Sequence, residues 1–276
     1  MFMEDMRILH NNIFYVAKFF DKFCEKHELD YFLLGGTALG AARHQGFIPW
    51  DDDFDVCMKV DDYERLLSLK KEIDKSGFYL QVEDTVEWPL FFSKLRLDNS
   101  LYLEKEDRGR DMHNGVYIDI MCVSPGYDNK MLRFSQYLAA KILSASALRF
   151  RAYETDSFWK SIALNMAGAI CRGSLKEKLF GYVRRSPLTF ASGEFYNHFF
   201  GRAPFSKAFI NQKHLFRFDI IEFEGYKFRC MRDINGYLEC RFGGDWSEMP
   251  SKEVRDSFPA HCLRFKSHPN LNTPLL

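Results

Sequence analysis

"GGTALGAARHQGFIPWDDDFDV", residues 35–56, sets two glycines and a threonine ahead of a short helical pattern, then crowds aspartates into positions 51, 52, 53 and 55. Just upstream, "LDYFLL" (29–34) reads as a buried strand ending at Gly35-Gly36. From Thr37 the pattern predicts a short helix capped by that threonine and closed by Gly46 and Pro49. Beyond it, Phe54, Val56, Met58 and Val60 alternate with Asp53, Asp55, Cys57 and Lys59. A strand with that period sends its apolar set to one face and both carboxylates to the other. Strand, glycine corner, helix and acidic strand therefore follow one another in a single compact unit.

Two carboxylates on one strand face either raise a pKa or attract a cation. Oxygen donors of this kind suit Mg²⁺ or Mn²⁺, which take one or two acids and fill the remaining positions with phosphate oxygens and water. Asp119, in "GVYIDIMCV" (115–123), is a third acid, set among Val116, Ile118, Ile120 and Cys122. A lone carboxylate on an apolar strand is expensive and should have a partner, a shared metal being one such partner. Gly35, Gly36 and Thr37 can bring bare backbone and a hydroxyl to a phosphate at the start of the following helix, with Arg43 and His44 as further phosphate or substrate contacts. Taken alone, Gly-Gly-Thr is only a turn. Read as a calcium loop from Asp51, the stretch fails, because position 6 is Val56 instead of glycine and position 12 is Asp62 instead of glutamate. A solvated turn remains an open account of Asp51 and Asp52, and the apolar alternation argues against it for Asp53 and Asp55.

Around this unit, residues 6–27 carry a helical stripe of Leu9, Ile13, Val16, Ala17, Phe20 and Cys24. "DDYERLLSLKKEI" opens a helix with acids in its first turn, and "GFYLQVE", "FFSKLRL" and "GVYIDIMCV" are strand-like. Residues 130 to 215 are mostly helical in pattern, "DIIEFEGYKFRCM" suggests a hairpin and "NGYLECRF" a helix. The fold class is α+β, a mixed sheet flanked by helices with a mostly helical second half. We divide the chain into a core with the metal site (1–128), a helical insertion or subdomain (129–215), and a C-terminal hairpin and helix completing the first unit (216–276).

Lys plus Arg equals Asp plus Glu at 38 each in 276 residues, so no overall field calls for nucleic acid as a partner. Lys130 to Arg185 holds eleven basic and three acidic side chains. A solvated helix face accounts for this most simply, and peripheral contact with an anionic membrane is the alternative. Seven cysteines without a CxxC pair argue for reduced, buried thiols, and His261 beside Cys262 lacks the further ligands a metal would need. No signal-peptide core opens the sequence, and the uncharged stretch 161–171 is too short to span a bilayer, so a cytoplasmic protein is expected.

Strand, Gly-Gly-Thr, helix, Asp-Phe-Asp-Val and the later Asp119 together resemble the nucleotidyltransferase superfold of the DNA polymerase β type. Within it, "GGTALGAARHQGFIPWDDDFDV" is similar to the LicD family of phosphotransferases. The resemblance resumes at "GVYIDIMCV" and at "FEGYKFRCMRDINGYLECRFGGDWSEMP" (223–250). It implies that Asp53, Asp55 and Asp119 bind the metal and carry catalysis. It also implies that Gly36 and Thr37, with Gly35, hold donor phosphate. Lys94 and Arg96 fall where the family often has basic residues, a strand-edge charge being an equal account. The sequence departs from the family after Asp119, with Met121-Cys122-Val123-Ser124 for Phe-Pro-Leu-Asp, which bears on substrate choice. The activity implied is Mg²⁺-dependent transfer of a substituted phosphate, phosphocholine first, from a CDP-linked donor such as CDP-choline. The acceptor implied is a sugar hydroxyl of a cell-surface glycan or glycolipid such as lipopolysaccharide or teichoic acid. Nucleotidyl transfer to a small acceptor and a non-catalytic glycan-binding protein are the alternatives. A choline headgroup would call for an aromatic cage, with Trp50, Trp88, Tyr117 and Trp246 as candidates and core packing the simpler role for each.

Overall fold

The computed structural model describes residues 3–150, 158–185, 191–201, 203–215, 218–256 and 262–269. The apolar stripe of the N-terminal segment forms helix α1 (Met3–Lys26), with Leu9, Ile13, Val16, Phe20 and Cys24 buried. It is followed by β1 (Phe32–Leu33), α2 (Gly35–His44), β2 (Asp55–Lys59), α3 (Val60–Ser68), α4 (Lys70–Ile73), β3 (Phe78–Gln81), β4 (Ser93–Leu97), β5 (Leu101–Glu104) and β6 (Tyr117–Gly126). Helices α5 (Lys130–Phe150), α6 (Phe158–Ile170) and α7 (Gly173–Arg184) come next. Short strands β7 (Phe195–Asn197) and β8 (Phe209–Asn211), the hairpin β9 (Phe218–Phe223) and β10 (Tyr226–Met231), a helix Ile234–Phe242 and β11 (Cys262–Lys266) complete it.

The main sheet runs β1-β2-β6-β4-β3, with β2 and β6 parallel and the other neighbours antiparallel. The far end of β6, Ser124–Gly126, leaves this group and pairs with β7, which pairs with β8. Helix α1 packs across β4 and β6. Leu95, Ile118 and Ile120 share its apolar cluster, so the alternate residues Lys94, Tyr117 and Asp119 stand on the opposite face. The hairpin turns on Glu224 and Gly225, both at positive φ (50° and 72°), as a two-residue loop between twisted strands requires.

A second apolar cluster joins Trp88, Leu90 and Phe91 to α5, α7 and Phe199. It is tied to the sheet by a buried ion pair of Arg184, on α7, with Glu83, Nη2 lying 3.1 Å from Oε2. Arg133 donates to the Tyr127 carbonyl at 2.6 Å, and Lys141 to that of Gly201 at 2.6 Å. Within the basic segment Arg133, Lys141 and Arg184 turn inward, while Lys130, Arg149, Arg172, Lys178 and Arg185 are exposed, as a solvated face expects; Arg151 lies outside the described residues. No helix among the described residues is long and apolar enough to cross a membrane.

Several elements differ from the sequence reading. Helix α2 starts at Gly35, with Leu34 at the cap position and no side-chain cap; Thr37 lies inside it and its Oγ1 accepts from the Asp55 N–H at 2.7 Å. The threonine thus joins the helix to the next strand. Strand β2 begins at Asp55, leaving Asp53 in the extended segment before it, and Cys57 is as buried as Val56, since both faces of this strand are covered. Strands β7 and β8 lie in the segment read as helical, each only three residues long, too short for an alternation to register. All seven thiols are free and most are buried; His261 lies outside the described residues.

Candidate active site

The sheet register assembles a row of charge from three strands. Asp55 on β2 is opposite Asp119 on β6, and Asp119 is opposite Lys94 on β4. Directly paired residues on adjacent strands share a face with their Cβ atoms about 5 Å apart. Lys94, 2% exposed, places Nζ 3.1 Å from Asp119 Oδ1, 3.3 Å from Glu104 Oε1 and 3.1 Å from the Tyr117 ring centroid. The partner that an apolar-strand carboxylate demands is therefore Lys94. Strand β4 is interior and Arg96 is 1% exposed, so neither base is a strand-edge charge. Arg96 is structural, donating to Gln81 Oε1 at 2.8 Å and to the Gly115 carbonyl at 2.9 Å.

The glycine corner faces these acids. Gly35 has φ +56°, and a Cβ there would lie 3.2 Å from Asp55 Oδ2; at Gly36 it would lie 2.6 Å from Asp51 Oδ2. The Gly35 N–H donates to the Tyr237 hydroxyl at 3.0 Å. The bare corner lets carboxylates close against the start of α2, where the helix dipole favours negative charge. We expect Gly35→Ala to cost about 1–2 kcal/mol of stability through its left-handed backbone. By pushing Asp55 aside it should also lower turnover by about 10-fold or more. Melting and rate measurements on that variant check both.

Burial and then Asp55 hold Asp53 well above the usual carboxylate range; burial and then Asp119 do the same to Asp55. Burial also raises Asp119, with the Lys94 ammonium pulling it back. Burial and the neighbouring Asp52 push Asp51 up to about 6. Asp52 is 9% exposed and receives the Tyr102 hydroxyl of β5 at 2.5 Å, which takes it out of a solvated turn, while Asp51 stays half-buried.

Asp52, Asp53, Asp55 and Asp119 open onto one cavity of about 510 Å³, lined by six acidic and three basic side chains. The excess of hard oxygen donors fits Mg²⁺ or Mn²⁺ in chemical character. Among the described residues no set of three or more His, Cys, Asp or Glu side chains closes into a metal cage. An ion held by Asp53 and Asp55, with Asp119 beside them, would rely on one or two carboxylates and on phosphate oxygens, the habit of Mg²⁺.

Two lining residues escaped the sequence reading. Tyr237 and Arg241 sit on the Ile234–Phe242 helix and reach the cavity together. Their spacing of four, which puts two side chains on one helix face, was the available signal. Arg241 Nε is buried without a hydrogen-bond partner, and the guanidinium favours the charged form of Asp55. Glu104 escaped as well, because β5 is anchored by pairing with the distant β11. Arg43 lies away from the cavity, donating to the carbonyls of Trp246 at 3.2 Å and Glu248 at 3.0 Å. Of the four aromatics proposed for a cage, Tyr117 alone lines the cavity, and Lys94 covers its ring. Trp88 is fully buried with its indole N–H on the Phe92 carbonyl.

Residues 28–117 match the family described as LicD/FKTN/FKRP, nucleotidyltransferase domain. The chain is 24% identical over 253 residues, 89% of its own length and 92% of the relative's, to the lipopolysaccharide cholinephosphotransferase LicD of Haemophilus influenzae. It is also 36% identical over 58 residues, 21% of this chain and 22% of the relative, to an uncharacterized protein of Rickettsia prowazekii. The resemblance read from residues 35–56 holds in that the LicD family model matches residues 28–117.

Proposed function

We propose, from the LicD-family domain at residues 28–117, that this chain transfers a substituted phosphate from a CDP-linked donor to a sugar hydroxyl of a cell-surface glycan. Phosphocholine is the leading group and lipopolysaccharide the leading acceptor, because the relative matched over nearly all of its length is named for that pair. We further read the sheet as nucleotidyltransferase-like, with residues 129–215 as an appended helical subdomain. The observation that carries the proposal is the Asp55–Asp119–Lys94 row, set beside the Gly35 corner in a single cavity.

In this reading Asp53 and Asp55, with Asp119 alongside, would hold Mg²⁺ or Mn²⁺. The ion would supply neutralising charge for the donor's phosphate oxygens. The Arg241 guanidinium, without a partner for its Nε and lining the same cavity, would pair with those oxygens. The acceptor oxygen forms a bond to the distal phosphorus, the bond from that phosphorus to the bridging oxygen breaks, and CMP leaves with the electron pair. The acceptor's proton passes to a carboxylate of the cluster as the bond to phosphorus forms. Lys94 positions Asp119 and keeps its charge from opposing the incoming phosphate alone.

The test is release of CMP from CDP-choline by the purified protein with a glycolipid acceptor, followed by mass spectrometry. We expect CMP and phosphocholine-bearing acceptor with Mg²⁺, and at least about 10³-fold less with EDTA. Pyrophosphate release from CTP instead would establish nucleotidyl transfer. No turnover on any nucleotide-linked donor would leave a binding protein.

A further inference from the structure

The cavity extends well beyond the acids, into the second apolar cluster, where the mechanism above uses nothing. There it is walled by Leu90, Phe91, Phe92, Leu148 and Phe200, with Phe91 and Phe200 stacked at 4.6 Å between ring centroids. Two polar groups interrupt this apolar wall. Ser144, on α5, and His198 both line it, and Ser144 Oγ and His198 Nε2 are buried with no hydrogen-bond partner among the described residues. His198 is 5% exposed.

The state of that imidazole follows from its surroundings. Burial, then the charges of Arg241 and Lys141, drive its pKa down to about 3, so the ring is neutral at any physiological pH. The Lys207 backbone bonds the ring, and because Nε2 has no partner the bonded nitrogen is Nδ1. A carbonyl only accepts, so Nδ1 carries the proton and Nε2 presents a bare lone pair. Lys141, one turn before Ser144, donates to the Gly201 carbonyl and fixes the 198–201 turn against α5.

We infer that this end of the cavity is a slot for an amino-bearing nucleobase, cytosine in the donor proposed above, with His198 Nε2 accepting from the exocyclic amine and the Ser144 hydroxyl meeting the ring edge. The inference rests on the phosphate-transfer reading for its choice among such bases. A flat heteroaromatic ring satisfies the phenyl walls by stacking while its edge meets the two polar groups. A sugar would leave several hydroxyls against phenyl rings, and an aliphatic group would leave Ser144 and His198 unpaired. Cytosine offers N4–H₂ where uracil offers O4, so uracil would set a lone pair against a lone pair.

The test is calorimetric binding of CMP, UMP and ribose 5-phosphate to the full chain with Mg²⁺. The expected result is CMP bound about 10-fold or more tighter than UMP or ribose 5-phosphate. In His198→Phe that preference should shrink toward unity, and in Ser144→Ala CMP and UMP should both weaken, while ribose 5-phosphate affinity holds. If His198→Phe does not fold, Ser144→Ala, which removes only a hydroxyl, decides. Equal binding of CMP and UMP by the parent, an undiminished preference in His198→Phe, or unchanged base affinity in Ser144→Ala overturns the slot and leaves the transfer reading standing. Failure of all three to bind overturns both.

Discussion

Asp53→Asn and Asp55→Asn are expected to lose at least about 10³-fold in turnover, the scale on which preorganised charge contributes to such reactions. The same variants, stripped of metal, should melt at a higher temperature than the parent. Amide and carboxylate are nearly isosteric, so no core volume is emptied; what disappears is a buried charge opposed chiefly by burial and by its neighbouring aspartates. The pH dependence has a definite sign. A carboxylate whose pKa is raised by folding binds its proton more tightly in the native state, so stability falls as pH climbs from the unfolded value to the folded one. For Asp51 that window runs from 3.8 to about 6, and Asp53 and Asp55, both raised well above 3.8, act in the same direction. The metal-free parent should therefore lose melting temperature between pH 4 and neutrality, with a shallower slope in either asparagine variant. Mg²⁺ should restore the parent and leave the variants largely unmoved. Calorimetry across pH with and without Mg²⁺, beside rate measurements, checks the set. Parent-like rates in both variants would remove these acids from the chemistry.

Lys94→Met should be the most destabilising single change at the site. Its ammonium is 2% exposed and lies within 3.3 Å of two carboxylates, Asp119 and Glu104. Removing one partner of a buried pair leaves uncompensated charge and costs about 3–5 kcal/mol. At about 2–4 °C per kcal/mol for a chain of this order of size, the melting point should drop by about 6–20 °C. Pairing the change with Asp119→Asn should recover part of that loss, because one orphaned acid is then neutral. A melting point unchanged in Lys94→Met would mean that Glu104 and Asp119 reach solvent.

Much of this was legible beforehand because the decisive signals are local. The α1 stripe, the β2 alternation and the hairpin around Glu224-Gly225 each announce themselves within about a dozen residues. Asp55 and Asp119 stood out because carboxylates interrupt apolar strands, and the register sets them side by side. What stayed hidden depends on distance along the chain. Lys94 as the partner of Asp119 requires knowing that β4 lies beside β6. Glu104 requires β5, held by β11 some 160 residues later. Arg241 requires the Ile234–Phe242 helix to lie over α2. Thr37 misled for the opposite reason: a threonine near a helix start commonly caps it, and here a bond to the next strand won.

The Asp55–Asp119–Lys94 row has a consequence for what insertions the chain can bear. Because side chains alternate strictly along a strand, one residue added to β6 ahead of Ile118 would turn Asp119 toward α1 and present Ile118 in its place. Two added residues would restore the original parity at the cost of a displaced end. Odd and even changes of length in this strand should thus divide cleanly, the first silencing the molecule and the second sparing its arrangement of acids.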